Sequence, residues 1–267
     1  MKLVYSSYTG AFSDSPRAIF ERLRDEPGHQ HVWLAGARHA DAFPPTGVET
    51  VPFGSPEAVA ALEAADVVVT NTHIGFEWSK RPQTLYLQTW HGTPLKRVQW
   101  DILWSPEGLL NQHQRDVDRW DVLVSPNRAS TPRLRQAFRY EGEVLEIGYP
   151  RNDVLSAPDR DERRADVRRR LAIPDGATAV LYTPTFRDDA VFADRSFELG
   201  LDVDAFTAGL GGDHVLLLRL HYMIEDPLPP MRHPAVRDVS AHPDVSELYL
   251  AAECSSRTTR RRCSTSR

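Results

Sequence analysis

Pro56 to Thr70 reads PEAVAALEAADVVVT, and this stretch decides the fold. Pro56 to Ala65 is an alanine-rich helix with Pro in its opening turn. It runs straight into Asp66 to Thr70, whose unbroken β-branched run is that of a strand buried on both faces. The same alternation continues on either side. Upstream, Lys2 to Ser6 reads as an opening strand, Ser15-Pro16 as a helix N-cap followed by Pro, Ile19, Phe20 and Leu23 as one helix face, His31 to Ala35 as a second strand and Thr50 to Phe53 as a third. Downstream, Thr84 to Trp90 is a strand, Pro106 to Trp120 a helix, Asp121 to Ser125 another buried strand, Arg128 to Phe138 a helix and Glu143 to Ile147 the last strand of this half. Strands and helices in this order predict a doubly wound α/β protein with a parallel sheet.

A turn cluster, Gly148-Tyr149-Pro150-Arg151-Asn152-Asp153, divides the chain into a first domain over residues 1–150 and a second over 151–252. The second opens with a charged helix, Asp161 to Leu171, whose arginines read as a solvated face in preference to a phosphate site. Pro174-Asp175-Gly176 then turns the chain into strand Ala179 to Tyr182. Further strands follow at Val215 to Leu218 and Val236 to Val239, with a helix from Val245 to Ala252.

Composition narrows the function. A net charge of −5, with no basic stripe carrying interleaved aromatics, argues against nucleic-acid binding. The opening MKLVYSSYTGAF is too short and polar for a signal peptide, and no run approaches the roughly 18 apolar residues of a membrane span, so the expected location is the cytoplasm. Both cysteines, Cys254 and Cys263, fall near the carboxyl end without a familiar zinc spacing, so no metal or disulfide is expected.

The reactive candidate is His91, within LQTWHGTPLK, Leu87 to Lys96. An apolar strand delivers it into a turn of Gly92, Thr93 and Pro94, with Lys96 close behind. That is how α/β enzymes expose side chains at the carboxyl ends of their strands. His91 reads either as a group that does chemistry or as a hydrogen-bonded loop histidine. The tryptophans from Trp90 to Trp104 read as core in preference to a membrane contact, since no basic amphipathic face accompanies them.

LQTWHGTPLK, GYPRND, YTPTFRDD and LRLH, in this order and at these separations, resemble the CDP-glycerol glycerophosphotransferases that prime or extend teichoic acid chains. The resemblance implies two facing Rossmann-like domains in a GT-B arrangement, the second truncated here. The first domain would contribute the acceptor side and the second the nucleotide donor. It implies transfer of glycerol phosphate from CDP-glycerol to a hydroxyl of a lipid-linked primer or chain, with release of CMP. The enzyme would work at the inner face of the cell membrane, in peripheral contact with it, and CDP-glycerol would serve as donor substrate without a further cofactor. His91 would be the general base, a role suited to a neutral imidazole. Arg187 and His221 would hold the donor phosphates and stabilise the developing charge. Arg219 reads either as a helper or as a residue paired at a strand end. Gly92, Thr93, Pro94 and Lys96 would shape the loop, Lys96 also reaching phosphate, while Asn152 and Asp153 read as turn formers. Phe186 stands where the family more usually has Trp. Two competing expectations are a GT-B transferase using another activated polyol phosphate or a nucleotide sugar, and a non-catalytic remnant.

From Glu253 onward, ECSSRTTRRRCSTSR breaks with what precedes it, with five arginines and no apolar periodicity. It reads either as a basic tail or as an out-of-frame translation over 253–267. With GC-rich codons assigned to it, restoring one base inside the Glu253 codon yields D-V-L-V-T-D-Y-S-S, which resembles the next motif of the same family. The expectation is therefore a fold interrupted after Ala252 and an impaired transferase.

Overall fold

A computed structural model describes residues 1–44, 48–184, 199–221 and 233–256, which form two compact units, Met1–Val154 and Leu155–Arg267. The first unit is a seven-stranded sheet of β1 (Lys2–Ser6), β2 (Gln30–Ala35), β3 (Glu49–Pro52), β4 (Val67–Thr70), β5 (Leu85–Gln88), β6 (Val122–Ser125) and β7 (Glu143–Glu146). Its order is β3-β2-β1-β4-β5-β6-β7, and every neighbouring pair is parallel. This is the doubly wound order, with its reversal of direction between β1 and β4.

Alternate residues of the central strands feed two cores, as a pleat of period two requires. Val4, Val32 and Val68 pack with Ala58, Ala61 and Leu62 of α2 (Pro56–Glu63), Val117 of α3 (Leu109–Val117), and Leu134 and Phe138 of α4 (Thr131–Phe138). Leu3, Tyr5, Trp33 and Val69 face the other way, against Phe20 of α1 (Asp14–Leu23). Aspartates pin the strand starts. Asp66 accepts from Lys2 N at 2.8 Å, and Asp121 accepts from Tyr86 N at 2.7 Å. The alanine-rich α2 begins where Ser55 Oγ accepts from Ala58 N, with Pro56 behind the cap.

Several boundaries differ from the sequence reading. Helix α1 begins at Asp14, with Ser13 rather than Ser15 as the cap residue, and Ser15 is fully buried. Helix α3 begins only at Leu109, because Gly108 takes a left-handed φ of 77° that ends the preceding turn.

The second unit holds a parallel sheet, β10-β9-β8-β11, from β8 (Thr178–Tyr182), β9 (His214–Leu218), β10 (Val236–Asp238) and β11 (Cys254–Ser256). One face packs on Val167 of α5 (Arg160–Arg170) and Leu248 of α7 (Val245–Ala251). The other meets Val203 and Phe206 of α6 (Val203–Leu210), a helix that the sequence reading lacked. The arginines of α5 are not a uniformly solvated face. Arg168 donates to the carbonyls of Ala251 and Ala177, and Arg164 to that of Leu250, satisfying the last carbonyls of α7.

Past Ala252 the chain adds one more short strand. Glu253 pairs with Arg164 and Arg168 and accepts from Ala179 N, and Cys254 to Ser256 then register against Val180 to Tyr182. Three small residues can fill this slot because their backbone, not their side chains, makes the ladder. Residues 257–267 lie outside the described residues, as does Arg187.

Candidate active site

The carboxyl ends of β1, β4 and β5 converge on His91. At the end of β5, Gln88 Nε2 donates to Thr70 Oγ1 at 3.0 Å and to the Thr72 carbonyl at 3.1 Å, while Gln88 Oε1 accepts from Trp90 N at 2.8 Å. Thr89 Oγ1 donates to the Thr70 carbonyl at 3.0 Å. These polar but buried side chains weld the exit of β5 to that of β4. The turn that follows bends at Trp90, which is buried at φ 53°. Gly92 is not left-handed, and a Cβ there would meet nothing within 4 Å. The sharp bend expected of Gly92 therefore falls on Trp90, held by Phe138 with ring centroids 4.6 Å apart and by His73 at 5.9 Å.

His91 Nδ1 lies 2.7 Å from the carbonyl oxygen of Asn71, just past β4. A carbonyl only accepts, so Nδ1 carries the proton and the neutral ring keeps its lone pair on Nε2. Among the described residues, no hydrogen bond reaches Nε2. Burial holds the imidazole pKa below the usual 6.5, against the raising influence of the Asn71 carbonyl and of Asp14, while Arg151 and His73 push the same way as burial. The ring is thus neutral at pH 7, with its basic nitrogen defined by the backbone.

Around it stand residues that the sequence reading did not place in the site. Asp14, at the start of α1, is buried and pairs with Arg151 from the GYPRND turn. Tyr8 donates its hydroxyl to Asp14 at 3.1 Å and its backbone N–H to Asn71 Oδ1 at 2.8 Å, and its ring centroid is 5.5 Å from that of His91. Tyr149 donates to the Gly92 carbonyl at 2.8 Å. Tyr8, Asp14 and Trp90, with φ of 50°, 63° and 53°, are three of the non-glycine residues in left-handed backbone. Such conformations cost about 1–3 kcal/mol each and cluster where geometry is over-determined for function. The motif GYPRND carried the one available signal for Arg151. Asp14 had none, since an acid in the first turn of a helix is unremarkable.

The other expected residues fall as follows. Thr93 is exposed and its carbonyl accepts from Leu95 N at 2.8 Å; Pro94 is half-buried and Lys96 exposed. His221 lies in the second unit, past the end of β9, and is half-buried. Arg219 donates to the carbonyl of His242, in keeping with a residue paired at a strand end. Asn152 N–H donates to the Tyr149 carbonyl at 2.8 Å, a turn contact. Of the tryptophans, Trp90 is core, and Trp100 lies beneath the Arg139 guanidinium at 3.6 Å. Trp104 is not core. It is 65% exposed, beside Leu103 at 81%, because the chain at residues 103, 104 and 106–108 crosses the surface before α3. Among the described residues, no group of three or more His, Cys, Asp or Glu could hold a metal ion.

A doubly wound parallel sheet with a neutral histidine at its carboxyl edge defines an α/β protein of the Rossmann-like class, in which ligands bind outside the carboxyl ends of the strands. The chain belongs to the CDP-Glycerol:Poly(glycerophosphate) glycerophosphotransferase family, whose model matches residues 2–254. It is 37% identical over 265 residues to a teichoic acid poly(glycerol phosphate) polymerase of Staphylococcus epidermidis, covering 94% of this chain and 37% of that protein. It is 34% identical to a teichoic acid glycerol-phosphate transferase of Staphylococcus aureus, covering 94% of this chain and 67% of that one. The wall teichoic acid polymerase TagF superposes with a TM-score of 0.85 at 36% identity, over 96% of this chain and 65% of TagF. The chain thus spans between about a third and two thirds of the length of these relatives. A UDP-N-acetylglucosamine 2-epimerase from Rickettsia bellii, at 8% identity and a TM-score of 0.53, shares the fold alone.

Proposed function

We propose that the chain takes part in transfer of glycerol phosphate from CDP-glycerol to a hydroxyl of a lipid-linked teichoic acid primer or chain, releasing CMP. The observation that carries this reading is the His91 imidazole, with Nδ1–H given to the Asn71 carbonyl and Nε2 left as the base. The acceptor hydroxyl gives its proton to Nε2 as its oxygen attacks the β-phosphorus in line, and CMP leaves with the bridging oxygen. Arg187 and His221 hold the donor phosphates, where fixed cationic donors offset charge without a metal. The S. epidermidis relative is by name a poly(glycerol phosphate) polymerase, and a TagF variant was soaked with CDPG, both in keeping with this reading.

The same reading places the protein in the cytoplasm, at the inner face of the membrane. Among the described residues, no helix is long and apolar enough to cross a membrane. Leu95, Leu103 and Trp104, exposed in the loop that follows His91 and flanked by Lys96 and Arg97, support peripheral contact where a lipid-linked acceptor is presented.

Incubation with CDP-glycerol and a lipid-linked primer, with CMP quantified, tests the assignment. Primer-dependent CMP release is expected. Release only from another activated polyol phosphate or a nucleotide sugar would favour a different donor, and release from none would make the chain a non-catalytic remnant.

A further inference from the structure

Beside His91 lies a buried ion pair for which the proposed transfer has no use. Asp14 is 6% exposed, and its partner Arg151 arrives 137 residues later. One nitrogen of the guanidinium, Nη1, donates both to Asp14 Oδ2 and, at 2.9 Å, to the backbone carbonyl of His91. Asp14 is held in turn by the Tyr8 hydroxyl at 3.1 Å and by Ser15 N–H at 2.7 Å. The guanidinium also covers the Tyr149 ring at 4.9 Å, and Tyr149 fixes the next carbonyl along, that of Gly92. Two successive carbonyls of the reactive turn are therefore clamped by side chains from residues 149 and 151. The imidazole itself is clamped from β4 by Asn71.

A buried ion pair is a weak source of stability, because the cost of desolvating both charges offsets their attraction. A bridge that also grips the backbone of the reactive residue has geometric value instead. We propose that Asp14 and Arg151 are positioning residues for His91: by holding its carbonyl they fix the rotation of the turn, keep Nδ1–H on Asn71 and leave Nε2 as the basic atom. This rests on the reading of His91 as the base. Displacing a reacting group by about 1 Å costs on the order of 10²-fold in rate. A merely structural pair would lower stability, and its charges would still shift the His91 midpoint, but its loss would not change which imidazole nitrogen carries the proton.

The charges facing the ring also predict opposite signatures. Asp14 raises the His91 pKa, Arg151 and His73 lower it, His73 lying beyond Trp90, and burial pushes the nearby Tyr149 phenol up. Removing Arg151 should raise the His91 midpoint, and removing the Asp14 charge should lower it.

The test uses the full 267-residue chain, with proton–nitrogen correlation spectra of the imidazoles recorded alongside primer-dependent CMP release. In the unmodified protein, His91 should show the Nδ1–H tautomer. Arg151→Met should mix the tautomers, raise the midpoint and lower the rate by about 10²-fold with little change in KM for CDP-glycerol. Asp14→Asn should lower both the midpoint and the rate. Arg151→Lys should recover the tautomer and most of the rate, since a single nitrogen makes both bridging bonds. If Arg151→Met does not fold, Asp14→Asn and Arg151→Lys decide the matter. An unchanged His91 tautomer in folded Arg151→Met or Asp14→Asn, whatever the midpoint does, would overturn the positioning role. Imidazole responses as described in a chain that releases no CMP would uphold the pair and overturn glycerophosphotransfer.

Discussion

Replacing Asp116 by alanine should destabilise the first unit more than any surface change in it. Asp116 lies in α3 with no solvent exposure, and it accepts from Ile74 N at 3.2 Å, Tyr86 Oη at 3.1 Å and Trp120 Nε1 at 3.1 Å, with His73 Nδ1 at 3.7 Å. One carboxylate thus ties α3, β5 and the segment after β4 beneath the Trp90 turn. Truncation leaves three buried donors unsatisfied, at about 1–3 kcal/mol each. Some relaxation is expected, so the working figure is about 3–5 kcal/mol, a large part of the 5–15 kcal/mol typical of a domain. With a urea m-value of about 2 kcal/mol/M, the midpoint should fall by about 1.5–2.5 M. All six tryptophans, from Trp33 to Trp120, lie in the first unit, so tryptophan fluorescence during urea unfolding reports on that unit. Asp116→Asn, which keeps an acceptor oxygen, should cost less. A midpoint shift below about 0.3 M for Asp116→Ala, with an unchanged m-value, would refute the hub role.

Stability of the same unit should depend on pH through His113. Burial, followed by the charge of His73, lowers its pKa to about 4, so the unfolded chain binds more protons between pH 6.5 and 4. The contribution is complete above pH 6.5 and is lost as the pH falls toward 4; His113→Gln should flatten the urea midpoint across that window. Gly92→Ala should leave the melting temperature within about 1 °C, whereas Gly10→Ala should lower it sharply, since Gly10 has φ 97° and its Cβ would fall within the backbone of Gly36. Arg187→Ala and His221→Ala should weaken CDP-glycerol binding in calorimetric titration as well as turnover, because phosphate contacts act in both ground and transition states. Unchanged donor affinity in both would remove these residues from the donor site.

The architecture was legible wherever burial is two-sided. The apolar runs of β4 and β6 read as buried strands, and the alanine-rich α2 leads into β4 as the pattern says. Elements that owe their state to tertiary contact were not legible. Helix α6, VDAFTAGL, is short and carries a glycine, and β11 consists of Cys254, Ser255 and Ser256, held by pairing with β8 and by Glu253 upstream. The site divides the same way. His91 stands out because a strand delivers it into a turn. Tyr8, Asp14, Asn71 and Arg151 are scattered over 144 positions, and only the crossover that seats β1 beside β4 brings them to one imidazole. No local pattern marks a residue whose role depends on sheet order. The bend at Trp90 was hidden by Gly92, which is the residue that turn chemistry would choose.

The proposed role of His91 as the base for transfer from CDP-glycerol is tested by primer-dependent CMP release by His91→Ala beside the unmodified chain, with CDP-glycerol affinity determined on both. Turnover should fall by about 10²–10⁴-fold with donor binding largely retained. Near-normal turnover in the variant would contradict that role.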